Sequence, residues 1–274
     1  MKIFAIMLVK NEVDIVGSVL KSAEKWADKI FILDNGSTDG TWELIQSLKN
    51  DVITPWKQDF GPFRRGMRAE VFNEFRHLST PGDWWCYALD ADEFYIEDPR
   101  TLLQNISRKY QWVFKQSIDY RLTKEDVEEY NFTGDFESDR KYINYIRNPC
   151  WSEGRFFRYR KGLKWDTGIA SQYPQHVGTK APQTILVEHY QYRSPQQIQK
   201  RLDARKATKS NSQVSAWKSM PETLDECLFS RTNYVFFDKD YKKIKTAPLD
   251  FVKYKTSKLK DFIKRFLIQF GLYN

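Results

Sequence analysis

CYALDADEFYIED, residues 86–98, holds five carboxylates in thirteen positions, and Asp90, Asp92 and Glu93 follow directly on the apolar run WWCYAL (84–89). Carboxylates at the tip of a core strand are costly to bury unless a cation meets them. In an extended segment alternate side chains share a side, which predicts that Asp90 and Asp92 face together while Ala91 turns away. Two such carboxylates suit a hard divalent ion, Mg2+ or Mn2+, which binds through few protein oxygens and keeps positions open for phosphate. The chemistry expected is stabilisation of a departing diphosphate, with the ion bridging two phosphates. Arg64, Arg65 and Arg68, just upstream, would add positive charge beside those phosphates. A solvated acidic loop is the plain alternative for any D-x-D, and the apolar strand before this one argues against it.

Placing the acids requires a scaffold, and the first 95 residues alternate strand and helix signals. KIFAIMLV (2–9) is a strand-length apolar run. Residues 11–27 carry Val13, Val16, Leu20 and Ala23 at helical spacing, with Asn11 as the expected N-cap. KIFIL (29–33) is a second strand closed by the turn cluster DNGSTDG (34–40), TWELIQSL (41–48) a helix, and DVIT (51–54) a third strand. Residues 64–78 form a helix with Met67, Val71, Phe75 and Leu78 on one stripe, leading into the acid-tipped strand. Strands separated by helices imply βαβ units and a parallel sheet, whose ligands bind beyond the carboxyl ends of the strands. Lys10–Glu12, Asp34–Asn35 and Asp90–Glu93 all fall at such ends, so three polar clusters converge on one rim.

Beyond residue 100 the order is less regular. Residues 110–120, 155–160 and 184–193 read as strands of mixed direction, and 194–208 as a helix with Ser194 as N-cap and Pro195 at its first position. The expected division is one α/β domain over 1–210, split into a nucleotide-binding half (1–95) and an acceptor half (96–210), then a helical extension over 211–274. In that tail Leu259, Phe262, Ile263, Phe266, Leu267 and Phe270 follow a helical stripe, with Lys258, Lys260, Lys264 and Arg265 on the other faces. Such a helix either lies on an anionic membrane surface or packs its stripe on the domain or a partner subunit.

The 274 residues carry 44 Lys and Arg against 36 acids, a net charge of +8, which suits phosphate-bearing ligands, nucleic acid or an anionic membrane. The positive excess gathers in residues 194–274, away from any recognisable RNA-binding motif, so nucleic acid is not the expected partner. Three scattered cysteines make neither a disulfide framework nor a zinc site and fit a reducing compartment. The apolar N-terminus lacks a small-residue cleavage site, and no run of 18 apolar residues occurs. The expectation is therefore a cytoplasmic protein, held at most peripherally at the inner face of the membrane.

VKNEVDIVGSVLKS, ILDNGSTDGTWELI and LDADEF, in that order over roughly the first hundred residues, resemble the family 2 glycosyltransferases with the GT-A fold. The resemblance implies a mostly parallel, Rossmann-like nucleotide-binding sheet and a nucleotide-sugar donor, expected to be UDP-linked. It implies a glycan or glycolipid acceptor and inversion at the anomeric carbon. Val9, Lys10, Asn11 and Glu12 would line the nucleoside site, and Asp34 and Asn35 would contact base or ribose. The DAD segment resembles the family's DxD motif: Asp92 would bind the metal, Asp90 ribose or a metal-bound water, with Ala91 between them at the nucleotide. QDFGPFRR (58–65) resembles the segment that sets an arginine by the nucleotide, here Arg64. His189, in LVEHYQYRS, is similar to the late histidine that supplies a further metal ligand, and Arg193 would close over the diphosphate.

An inverting transfer needs a base for the acceptor hydroxyl. Asp166, Glu153 and His176 are the candidates, Asp166 first. Relatives commonly show a His-Glu pair in this region, where this chain has His176-Val177. Trp151, Trp165, Tyr173 and Tyr192 would stack on the acceptor sugar or fill the core. A sugar nucleotidyltransferase is the alternative enzyme, disfavoured because VKNEVD follows the first strand where that class carries a glycine-rich basic loop.

Overall fold

The computed structural model describes residues 1–149, 152–168, 172–209 and 221–247, together with Leu259, Phe262, Ile263, Phe266 and Leu267. In chain order the elements are β1 (Ile3–Val9), α1 (Val16–Ala23), β2 (Lys29–Asp34), α2 (Thr41–Ser47), β3 (Ile53–Gln58), α3 (Met67–Phe75), β4 (Trp84–Cys86), β5 (Glu93–Tyr95) and α4 (Pro99–Gln104). They continue with β6 (Trp112–Arg121), α5 (Lys124–Glu129), α6 (Phe136–Asp139), β7 (Tyr145–Arg147), β8 (Ser152–Arg158), β9 (Lys180–His189), α7 (Pro195–Lys209), α8 (Leu224–Cys227) and β10 (Val235–Phe236). Two compact units result: Met1–Ser117 with Cys150–Val187 and Thr246–Asn274, and Ile118–Pro149 with Glu188–Lys245.

The first unit is built on a sheet of order β3-β2-β1-β4-β8-β6. β1, β2, β3 and β4 run parallel, whereas β8 is antiparallel to both β4 and β6. β1 reads IFAIMLV and is buried along nearly its whole length, as a parallel strand covered on both faces must be. The chain steps from β1 out to β2 and β3, then returns to the other side of β1 for β4. That reversal opens a crevice beyond the carboxyl ends of β1 and β4, the place where open α/β sheets take ligands.

Aromatic residues fill the space between this sheet and α3. Phe31 stacks on Phe75 at 3.9 Å, and Trp85 packs on Phe4 and edge-on to Phe72, each at 5.0 Å. Trp165, buried, joins the same cluster against Phe72 and Tyr87. It is a core side chain here and not an acceptor platform. Tyr173, half-buried, packs on Trp112 at 5.0 Å; Trp151 lies outside the described residues.

Several boundaries differ from the sequence reading for local reasons. α1 begins at Val16 and not beside Asn11, because Asn11 takes φ 55°, left-handed backbone that asparagine tolerates, and leads an irregular turn first. β3 continues past Thr54 to Gln58 through Pro55; it is the outermost strand, and proline is admitted where no neighbour needs its N–H. α3 starts only at Met67, and its last turn tightens into a 3-10 turn over Arg76–Leu78, which leaves Leu78 exposed rather than on the buried stripe. β4 ends at Cys86, three residues short of the apolar run.

In the second unit β6, from Asp119 to Arg121, pairs antiparallel with β7, and β7 with β10. Its centre is the buried carboxylate of Glu188. The hydroxyls of Tyr120 and Tyr241 each donate to it at 2.6 Å, with Arg140 at 3.6 Å and Lys239 at 3.7 Å. Ser194 caps α7 as its sequence predicts, its Oγ accepting from Gln197 N at 3.1 Å. Tyr192 is buried in this unit with Arg201 over its ring. Among the described residues no helix is long and apolar enough to cross a membrane.

Gly154, in β8, faces the ring of Trp112 so closely that a Cβ there would lie 2.3 Å from it. Gly154→Ala is expected to cost about 1–3 kcal/mol through overpacking, read as a lower urea midpoint.

Candidate active site

The loop that leaves β1 is stitched to the turn that leaves β2. Asn35 N donates to Val9 O at 2.8 Å, and Asn11 N to Ser37 Oγ at 2.9 Å. Asn11 Oδ1 accepts from Thr38 N at 2.8 Å, Glu12 N donates to Thr41 Oγ1 at 2.9 Å, and Val13 N to Asp39 Oδ2 at 3.3 Å. Asn11 thus earns its place as a cross-loop connector, not as a helix cap. Val9 is buried and Lys10 exposed at the same strand end.

Asp34 is fully buried and accepts from Ser37 N at 2.8 Å, from Ser37 Oγ, and from Gln58 Nε2 at 3.0 Å. Asn35 turns its amide to the loop after β3, donating to Asp59 O at 3.0 Å and Gly61 O at 2.9 Å. Gly36 sits at φ 71°, with Phe60 Cα 3.2 Å from where its Cβ would be, so a side chain there would be strained and would press on Phe60. Phe60, 76% exposed, presents an aromatic ring beside Asp34–Gly36. Sequence reasoning passed over it, although two phenylalanines in the short glycine- and proline-containing stretch DFGPF are themselves a signal.

Arg64 is committed to carboxylates, with Nη2 3.0 Å from Asp59 Oδ2 and 2.6 Å from Glu70 Oε1. The Gly61 N–H holds the Asp59 carboxyl below its usual range against the opposing effect of burial, with Arg64 and Lys57 adding to the lowering. Arg65 is exposed. Arg68 is the arginine of the three that reaches the DAD segment, with Nη2 3.2 Å from Asp90 Oδ1.

Asp90, Ala91 and Asp92 do not form the extended segment that the alternation implied. Glu93 N donates to Asp90 O at 3.3 Å, closing a turn. The cause is Arg155, on β8, 1% exposed. Its guanidinium donates to Ala88 O, to Asp90 Oδ2 at 3.0 Å and to Glu153 Oε1 at 2.6 Å, and lies 3.3 Å from Glu93 Oε2. The chain after β4 therefore wraps around a cation instead of running on. Lys115, on β6, faces Glu153 across the ladder at 3.1 Å and is also bonded to Glu93. Burial would raise the Asp90 carboxyl, but Arg155, Arg68 and Lys115 outweigh it and hold it below the usual range.

Asp90, Glu93 and Glu153 offer carboxylate oxygens within 4.8 Å of one another, the spacing of a metal site. Arg155 and Lys115 already serve that cluster. Glu153, a candidate base, is bound by both cations. Asp92 is buried at the next corner of the turn. Neither Arg155 nor Lys115 was singled out from sequence; a basic residue inside the aromatic strand segment GRFFR was the available signal.

Asp166 is exposed, its Oδ1 accepting from Gly168 N at 3.1 Å. Its loop rests on the start of α3, where a Cβ on Gly66 would lie 2.0 Å from Thr167 O, and Asn73 Nδ2 donates to Trp165 O at 2.9 Å. His176 takes φ 53° in an exposed turn, its carbonyl accepting from Arg160 Nη2 at 2.6 Å. Arg160 follows the end of β8 that pairs with the start of β4, so His176 is not brought to the acidic corner. In the second unit His189 Nδ1 lies 2.9 Å from Asp119 Oδ1. Arg193 is buried there at 1% exposure, with Nη1 3.3 Å from Tyr190 O.

Burial pushes the Cys86 thiol up to about 11, and its Sγ lies 3.3 Å from the Tyr95 hydroxyl. Peptide mapping after iodoacetamide treatment of the native protein at pH 8 is expected to find Cys86 unmodified. Arg155→Met, which strips Glu93 and Asp90 of a buried partner, is expected to cost about 3–5 kcal/mol in urea unfolding. Arg155→Lys is expected not to recover it, since an ammonium cannot span the same acceptors.

A protein-family profile described as Glycosyl transferase family 2 matches residues 4–173. LpsC, a lipopolysaccharide core biosynthesis glycosyltransferase of Rhizobium meliloti (strain 1021), is 34% identical over 102 residues, 37% of this chain and 36% of that protein. The chain thus matches about a third of the length of this curated relative. Among solved structures, the mannosyltransferase PcManGT from Pyrobaculum calidifontis, in complex with GDP-Man and Mn2+, aligns with 79% of this chain and 66% of its own, at 12% identity and a TM-score of 0.40. TarS 1-349 of S. aureus, in complex with UDP, aligns with 45% of this chain and 36% of its own, at 16% identity and a TM-score of 0.31.

Proposed function

The chain belongs to glycosyl transferase family 2, and from that premise we propose that it moves a sugar from a nucleoside diphosphate donor, UDP-linked, to a hydroxyl of a glycan or glycolipid in surface polysaccharide synthesis. The observation that carries this reading is the position of the Asp90–Asp92 turn. It closes the crevice between the carboxyl ends of β1 and β4, where a parallel sheet of this order takes its ligand.

In this reading the stitched loops at Val9–Glu12 and Asp34–Ser37 hold the nucleoside, with Phe60 offering a face for the base. Asp92, with Asp90, holds Mn2+ or Mg2+; the all-oxygen donor set of this turn fits such an ion, while the neighbouring Asp90–Glu93–Glu153 cluster is filled by the chain's own cations. The bound ion supplies charge stabilisation for the departing diphosphate. Arg155 and Lys115 fix the backbone on which Asp90 stands, so the carboxylate is set before the donor arrives. Asp166, exposed and docked on the start of α3, takes the acceptor proton in a single inverting displacement. Glu153 is the poorer base because Arg155 and Lys115 hold its carboxylate.

Asp92→Asn is expected to lower kcat/KM for donor by at least about 100-fold with the fold intact, following nucleoside diphosphate release. Release of pyrophosphate in place of nucleoside diphosphate would favour the nucleotidyltransferase reading instead.

The terminal stripe supports a peripheral membrane contact beside a lipid-linked acceptor. Leu259, Phe262, Ile263 and Phe266 are helical and exposed, Leu267 is helical and half-buried, and Phe270 lies outside the described residues. Vesicles containing anionic lipid are expected to float the full chain and to lose it when residues 250–274 are removed; equal flotation of both would remove this element of the reading.

A further inference from the structure

Asp90 has two arginine partners of different character. Arg155 is buried at 1% exposure and shared with Ala88 O, Glu93 and Glu153, so it cannot leave without dismantling the corner. Arg68 comes from the first turn of α3, its side chain 21% exposed. Among the described residues its guanidinium makes one ion pair, to Asp90 Oδ1 at 3.2 Å, and its Nε is buried without a hydrogen-bond partner. A guanidinium has five donors in a fork that fits phosphate oxygens. Arg68 therefore sits beside Asp90 with most of its bonding capacity unspent, while Arg64 is taken up by Asp59 and Glu70.

Charge adds a second constraint. Asp90, Asp92, Glu93 and Glu153 set four carboxylates against Arg155, Lys115 and Arg68, and both oxygens of Asp90 are paired, Oδ1 with Arg68 and Oδ2 with Arg155. A divalent ion arriving alone at Asp90 meets a carboxylate already neutralised on both oxygens. An ion arriving with a diphosphate brings the anion that Arg68 is able to take in exchange.

We propose that Arg68 is an exchangeable counter-ion: it holds Asp90 in the donor-free chain and passes to the diphosphate on donor binding, so that metal and nucleotide bind cooperatively. This rests on the corner being the nucleotide-sugar site. The coupling is reciprocal, so each ligand tightens the other by the same factor.

The test is a Mn2+ titration followed by electron paramagnetic resonance of the free ion, alone and with saturating UDP or GDP, on the parent, Arg68→Met and Arg68→Lys, each first checked for an unchanged melting temperature. The parent is expected to bind Mn2+ about 5- to 100-fold more tightly with one of the nucleotides than without. Arg68→Met is expected to bind Mn2+ alone more tightly than the parent, to bind the nucleotide less tightly, and to lose most of the coupling, with Arg68→Lys between the two. If Arg68→Met binds Mn2+ alone no better than the parent, or keeps the parent's coupling, the exchange is wrong while the site reading stands. A parent that binds neither Mn2+ nor nucleotide would overturn both.

Discussion

One buried guanidinium organises the acidic corner. Arg155 has Asp90, Glu93 and Glu153 around it and Ala88 O beside them, so the stretch from Ala88 to Glu93 is tied to β8 through a single cation. A carboxylate cluster of this density cannot be buried without such a partner. The positive charge demanded at the tip of β4 is met first from within the chain, by Arg155 and Lys115. Gly154 next door lets the Trp112 ring lie against β8, which seats the strand that carries the guanidinium.

The other side of the crevice is held by hydrogen bonds to the backbone. The hydroxyls of Ser37 and Thr41 and the carboxylate of Asp39 accept from backbone N–H groups across the two loops, the Asp34 carboxylate accepts from Ser37 N within its own turn, and the Asn35 amide extends the same stitching to the loop after β3. These polar residues at the strand ends are mainly used to hold one another. A nucleoside meeting this rim would find its walls already set, which lowers the ordering cost of binding.

The parallel half of the fold was legible because β1, β2 and β4 are continuous apolar runs and α2 and α3 keep helical spacing. The three rim clusters followed from that order alone, and the family followed from the motifs. What was not legible depends on partners distant in sequence. Asn11 carries a cap-like residue type but serves Ser37 and Thr38, and nothing local distinguishes the two uses. The alternation rule placed Asp90 and Asp92 on one side of a strand, but Arg155, 65 positions on, bends that stretch into a turn. Arg64 has the sequence context of a phosphate ligand, yet Glu70 one turn into α3 claims it, and Arg68 takes the place at Asp90.

β3 ends the sheet on one side, and its composition suits that position. Pro55 removes a backbone donor from the outward row, and Lys57, 44% exposed at its side chain, puts a charge two residues further along. A second chain approaching that border to extend the ladder would find one N–H missing and an ammonium to desolvate. The outermost strand thus guards a concentrated solution of this basic, aromatic-rich protein against ribbon-like self-association.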